Sequence, residues 1–237
     1  STMTDQVGHG TGVASVIGAV GNDNFGITGI NWNVSIMALK IADANGGLST
    51  GAIIGAHDYA TMMRTDFGIN VVASNNSYGL VAGDFYEDQQ EGFEGERAAI
   101  ARFVASGATF VAAAGNDALD NDQNFSSFPA SYNIPGVISV AATDNNDGLA
   151  GFSSFGAQTV DVAAPGVNML LASPGGGYVV ASGTSFAAPL VAGIVGLIKS
   201  VKPNASAVEI REALINSSDP LPALQGRVRS GGRVNAA

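Results

Sequence analysis

The chain has no cysteine and one tryptophan in 237 residues, and only 13% of it is charged. The missing thiols exclude disulfides, thiolate metal sites and a cysteine nucleophile, and leave the compartment open. Basic residues are scarce: ten Lys and Arg against twenty Asp and Glu give a formal net charge of −10. Nucleic acid is therefore disfavoured as a partner, because phosphate binding needs clustered cations. The longest apolar helical run, Phe186 to Ile198, has thirteen residues, short of the roughly eighteen needed to span a bilayer. A basic-then-apolar leader is also absent, and the first residue is Ser1, so a processed or trimmed piece is expected. What the chain has in quantity is apolar residues, 46% of the total, enough for one well-buried domain over 1–237.

Apolar, β-branched runs alternate with helical patterns. Residues 34–41 (VSIMALKI), 69–76 (INVVASNN), 108–115 (ATFVAAAG) and 136–143 (GVISVAAT) read as buried strands. Helices are expected over 9–20, 49–64, 91–105, 182–201 and 206–217, the last with Asn204 or Ser206 as N-cap. Strand alternating with helix predicts an α/β fold, a three-layer sandwich whose mainly parallel central sheet has helices on both faces. The helix over 182–201 is apolar on nearly all sides and is expected to cross the interior. Gly, Asn and Asp cluster at 21–26, 116–125, 144–148 and 173–177, which read as loops.

The stretch VGHGTGVAS, residues 7–15, places glycines at positions 8, 10 and 12 around His9. A dinucleotide fingerprint needs Gly-x-Gly-x-x-Gly after a strand. Here the spacing is Gly-x-Gly-x-Gly, no buried strand precedes it and no phosphate-binding lysine follows. A nucleotide-binding α/β domain then rests on glycine content alone. The glycines are better read as clearing space around a histidine at a helix start.

Two further residues stand where a sheet-based site would place them. Asn116 follows the strand FVAAAG, and Ser185 lies in SGTSFAAP at the start of the apolar helix. A serine hydroxyl is a weak nucleophile until a base removes its proton, and histidine suits that role near neutral pH. The negative oxygen formed by the attack needs donors, which a helix N-terminus and the Asn116 amide supply. Taken singly, a helix-start histidine and a capping serine are ordinary structural residues, and His57 reads as a surface or packing residue.

Together GHGTGVAS, NNSYG, AAAGND and SGTSFAAPLVAG, in this order over nearly the whole chain, resemble the subtilisin-like serine proteases. The resemblance implies a serine endopeptidase with His9 as general base, Ser185 as nucleophile and Asn116 in the oxyanion hole. It implies substrate-binding roles for Ser77, Tyr78 and Gly79, with Ala113, Ala114 and Gly115 as the opposite wall and a roomy apolar pocket between. Gly46, Gly47 and Leu48 match the second substrate-flanking strand. Peptide or protein substrates and an extracellular or cell-envelope location follow from the same likeness. No cofactor is required for the chemistry. A structural calcium is implied at the loop GNDNFG, with Asn22, Asp23 and Asn24 as oxygen ligands; the other reading is an Asn/Asp-rich turn.

The chain departs from the family pattern at one important place. The triad aspartate belongs on a strand about thirty residues before the histidine, and only eight residues precede His9; Asp5 is too close to be that group. In subtilisin, loss of that aspartate costs about 3 × 10⁴ in kcat, against about 2 × 10⁶ for serine or histidine. A prodomain or an N-terminal fragment is therefore expected to supply the missing strand. The alternative is a catalytically impaired peptide-binding or scaffold domain. Gly12 and Leu190, where many members carry histidines, read as packing changes.

Overall fold

The structure, a computed structural model, describes residues 4–81, 90–123 and 127–236. Asn124 and Phe125 of the expected loop 116–125 lie outside the described residues, as does Ser1. From the N-terminus the elements are α1 (His9–Gly18), α2 (Thr50–Thr65), β1 (Ala73–Asn76), β2 (Leu80–Val81), α3 (Gln90–Ala105), β3 (Thr109–Ala113), β4 (Ser127–Phe128) and β5 (Val137–Thr143). They continue with β6 (Val162–Pro165), β7 (Met169–Ala172), β8 (Tyr178–Ala181), α4 (Thr184–Val201), α5 (Ala207–Ser217), β9 (Asp219–Pro220) and β10 (Gly232–Arg233).

Six strands form one sheet in the order β1-β3-β5-β6-β10-β9. All its pairings are parallel except β10 with β9. The central strands β3 and β5 are buried along their whole length, as expected of parallel strands covered on both sides. One face packs Val111, Ile138 and Val140 against α4 and α5. The other packs Phe110 and Ala112 against Ile100 and Phe103 of α3 and Ala60 of α2. This is the expected three-layer α/β architecture.

Helix ends follow local chemistry. Ser49 caps α2 by accepting from Ala52 N–H at 3.1 Å. Ser206, rather than Asn204, caps α5 and forms a reciprocal capping box with Glu209. The α4 helix, Thr184–Val201, forms within the expected range 182–201 and extends past both ends of the thirteen-residue apolar run. It has 18 residues, and among the described residues it alone is long and apolar enough to cross a membrane, yet it is mostly buried inside this fold. The loop expected over 173–177 is the turn of an antiparallel hairpin, β7 with β8.

The strand expected over 34–41 does not form. Its residues join no ladder, and Val34, Ile36 and Met37 are 38%, 43% and 36% exposed. Strand propensity needs a partner backbone to act, and among the described strands β1 pairs only with β3. Among the described strands the outer edge of β1 is therefore left unpaired, while Leu39 of this segment and Val71, just before β1, each pack on the α2–α3 side of the core. The strand expected over 69–76 is accordingly short, at Ala73–Asn76.

Candidate active site

The carboxyl ends of β1 and β3 and the N-terminus of α4 converge at one end of the sheet, where ligands of parallel α/β sheets bind. Ser77 leaves β1 and meets the start of α4 directly: its Oγ donates to the Ser185 carbonyl at 2.7 Å, and Ser185 Oγ lies 3.5 Å from the Ser77 carbonyl. Asn116 leaves β3 and is tied to the same helix start. Its Oδ1 accepts from both the backbone N–H and the Oγ1 of Thr184, each at 2.9 Å. With the oxygen engaged, the two Nδ2 hydrogens are the donors this side chain has left among the described residues, beside Thr184, the neighbour of Ser185. Thr184 in turn accepts from Gly115 N–H at 3.3 Å. Gly115 has φ 112°, and a Cβ there would collide with Ser127, so only glycine allows this turn.

His9 is the first residue of α1, whose N-cap Gly8 is left-handed and offers no side chain. Asp5 does the capping instead: it accepts from Gly8 N–H at 2.8 Å and from Thr11 N–H and Oγ1, both at 2.7 Å. Burial pushes the Asp5 carboxyl up, but these hydrogen bonds outweigh it and hold the group below its ordinary value. Helix α1 is pinned to the β7–β8 hairpin, where Ser15 Oγ accepts from Ala172 N–H at 3.1 Å. The His9 ring packs against Phe186, the neighbour of Ser185, with centroids 5.6 Å apart. His9 retains exposed surface, while the atoms packed around its ring lower its pKa; Asp5 opposes that shift. The imidazole is therefore neutral at neutral pH and able to accept a proton. No hydrogen bond joins His9 to Ser185 or to a carboxylate among the described residues. Apo catalytic contacts are often long before substrate arrives.

The proposed substrate walls are brought to the site unevenly. Ser77 and Gly79 flank it, but Tyr78 does not line an apolar pocket. Its phenol turns inward, 3.2 Å from His57 Nε2 and 3.4 Å from Glu96 Oε1. Ala113 and Ala114 send their methyls into two separate core clusters, so that wall is backbone and Gly115. Gly46 and Gly47 form a turn closed by Asp43, which accepts from Gly47 N–H at 2.8 Å. Leu48 makes an isolated bridge with Ala42 and is 42% exposed. The second flanking strand is thus a turn with one bridge.

Asn22, Asp23 and Asn24 are all exposed; Asn22 and Asn24 have left-handed backbones, and Asp23 Oδ1 accepts from Phe25 N–H at 3.0 Å. These three side chains would supply part of the six to eight oxygens calcium takes, backbone carbonyls and water the rest. Among the described residues no cluster of three or more His, Asp or Glu could hold a metal. The Asp23–Phe25 contact is that of an Asx turn.

Thr184, Phe186 and Glu96 were not singled out from sequence. Thr184 and Phe186 flank the serine in its motif, which was the available signal. Glu96 lies in the series Phe93, Glu96, Ile100, Phe103, at the spacing of a buried helix stripe.

A profile of the subtilase family of peptidases, peptidase S8, matches residues 1–233. Subtilisin DY of Bacillus licheniformis is 37% identical over 93% of this chain and 74% of its own length. Thermitase of Thermoactinomyces vulgaris is 35% identical over the full chain and 76% of its own length. Alkaline elastase YaB of a Bacillus strain is 36% identical over 92% of the chain, which spans only 52% of that relative. Among solved structures, a cold-adapted subtilisin-like serine proteinase superposes with TM-score 0.77 at 26% identity, over 98% of this chain and 74% of the other. A protease of Pseudoalteromonas arctica gives TM-score 0.78 at 30% identity, over 96% and 68%.

Proposed function

Because this chain belongs to the subtilase family of serine proteases, we propose that it is an endopeptidase whose acyl-enzyme forms on Ser185. The observation that carries the reading is the convergence on Ser185 of Ser77, Asn116 and, through Phe186, His9. In this mechanism Ser185 Oγ attacks the scissile carbonyl carbon while His9 takes the hydroxyl proton. The oxyanion is held by Asn116 Nδ2–H and the backbone N–H at the start of α4. Collapse breaks the C–N bond, His9 returns the proton to the leaving amine, and water then hydrolyses the acyl ester by the same route. The peptide backbone is taken up beside Ser77–Gly79 on one side and Gly47–Leu48 on the other. Peptides or proteins are its substrates in this reading, and its place is extracellular or in the cell envelope.

The open edge of β1 supports docking of a further strand, from a prodomain or an N-terminal segment, and that strand is where a carboxylate to orient His9 belongs. A second reading, an impaired peptide-binding domain, is favoured by the absence of any carboxylate hydrogen-bonded to His9 among the described residues. Hydrolysis of a fluorogenic peptide pool separates the two. The protease reading expects turnover that Ser185→Ala removes; a folded parent that binds peptide without turnover supports the second. Calcium plays no part in either chemistry, and its proposed place at Asn22–Asn24 is confined to stability.

A further inference from the structure

A carboxyl group is buried where α2, α3 and the turn after β4 meet, behind the segment that carries Ser77. Glu96 is 5% exposed. Tyr132 Oη lies 3.1 Å from its Oε2, and also 3.1 Å from the Phe93 carbonyl. Tyr78 Oη lies 3.4 Å from its Oε1. On the far side of Tyr78, His57 Nε2 is 3.2 Å from the same phenol. His57 is 4% exposed, packs on Phe103 and Phe110 with centroids 6.0 and 5.2 Å away, and among the described residues has no partner for Nδ1.

Counting protons gives this cluster a direction. A phenol has one hydrogen, so if Tyr78 donates to Glu96 it must accept from His57, whose Nε2 then carries the proton and whose bare Nδ1 is an acceptor. In that assignment Nδ1, unpartnered among the described residues, is a bare acceptor rather than a stranded N–H. Burial lowers the His57 pKa to about 4 and raises that of Glu96, so the imidazole is neutral. The chain of donors runs from His57 through Tyr78 to Glu96, and on the other side the single Tyr132 hydrogen is shared between Glu96 Oε2 and the Phe93 carbonyl. Burying so much polarity is costly unless it is satisfied; four separate segments contribute partners, and His57 Nδ1 is the atom they leave over.

What the cluster grips is the substrate segment. Tyr78 sits between Ser77, which exchanges contacts with Ser185, and Gly79, a proposed partner of the peptide backbone. We propose that Glu96 is a positioning residue for peptide binding: by holding the Tyr78 phenol inward it sets the backbone of Ser77–Gly79 against both substrate and nucleophile. The proposal rests on the reading of Ser77–Gly79 as the peptide-binding segment. A displacement of about 1 Å in such a segment is enough to weaken productive binding.

The test measures affinity without turnover. Fluorescein-labelled denatured casein is titrated by anisotropy against the Ser185→Ala chain carrying in addition Glu96→Gln, Glu96→Leu or Tyr78→Phe. Glu96→Leu and Tyr78→Phe each remove two of the buried hydrogen bonds, which predicts binding weaker by about tenfold or more, while Gln, which keeps one acceptor oxygen, stays within about threefold. In the active background the same variants raise KM and leave kcat within about threefold, a split that general loosening of the fold would not produce. Unchanged affinity in folded Glu96→Leu and Tyr78→Phe overturns the proposal, as does a fall in kcat at constant KM. If Glu96→Leu does not fold, Tyr78→Phe, which removes one oxygen, decides alone. A Ser185→Ala chain that binds casein while the parent hydrolyses nothing defeats the protease reading and leaves the positioning role standing. A Ser185→Ala chain that binds no casein overturns both.

Discussion

The two sides of the active site are built on unequal foundations. Ser185 and Asn116 stand on β3, β5 and α4, where whole strands are buried and α4 packs against β1, β3, β5 and β6. That half is also clamped by an ion pair with a buried carboxylate: half-buried Arg211 of α5 bonds both oxygens of Asp161, at 2.6 and 3.0 Å, and Ser139 N–H donates to the same carboxylate. His9 stands on α1, ahead of a 31-residue stretch, 19–49, that contains neither a helix nor a strand of the sheet. There apolar residues such as Val34, Ile36 and Trp32 remain substantially exposed. The lesson is that nucleophile and oxyanion donor are preorganised by the core, while the base depends on a few local ties: the Asp5 cap, Phe186 and the Ser15 contact. Precision at a site follows the rigidity of the elements that carry it.

Truncation on the two sides should therefore differ sharply. Ile138→Ala, at a fully buried position of β5, is expected to cost about 2–5 kcal/mol in chemical denaturation. Ile36→Ala, the same deletion at a 43% exposed position, is expected to cost under about 0.5 kcal/mol. Equal losses would remove the contrast.

The buried cluster behind Ser77 gives a pH signature of the well-packed side. His57 has a folded pKa of about 4 against an ordinary 6.5, so the unfolded chain takes up its proton first. Stability is fully present above pH 6.5 and declines as pH falls towards 4, by up to about 3 kcal/mol from this group. Glu96 acts with the opposite sign: its raised folded pKa contributes stability below its ordinary value that is lost as pH rises through the folded value. His57→Gln should flatten the loss between pH 6.5 and 4 in urea titrations at each pH.

A smaller effect is expected on the loosely held side. Asp5→Asn removes a charge that raises the His9 pKa and weakens the α1 cap. About 1 kcal/mol of stability should be lost, and the acid limb of the kcat/KM profile should move to lower pH. A move to higher pH would contradict the electrostatic role of Asp5. The smallest effect concerns calcium. Chelation followed by refilling should leave the melting temperature within about 1 °C if Asn22–Asn24 is an Asx turn, and a shift of several degrees would instead favour a bound ion.

Much of this was legible in the sequence, and the limits have physical causes. Motifs around His9, Asn116 and Ser185 placed each at the end of its element, because turn glycines and helix starts are local features. The runs over 108–115 and 136–143 became central strands since their apolar residues face packing on both sides. The run over 34–41 looked alike and did not, because pairing depends on a neighbour that no local pattern reports. Tyr78 read as a pocket wall; its inward turn is set by Glu96 and His57, 18 and 21 residues away in sequence. Asp5 was recognised only as misplaced for a triad, although its spacing to Gly8 and Thr11 is that of a capping residue.

The central claim is that the two unequal halves meet at one activated serine. It is tested most directly by treating the parent, Ser185→Ala and His9→Ala chains with a fluorophosphonate and locating the adduct by peptide mass mapping. The account predicts a single adduct on Ser185 in the parent, none in Ser185→Ala, and labelling slowed by orders of magnitude in His9→Ala. A folded parent that stays unlabelled, or one labelled on another residue, would contradict it.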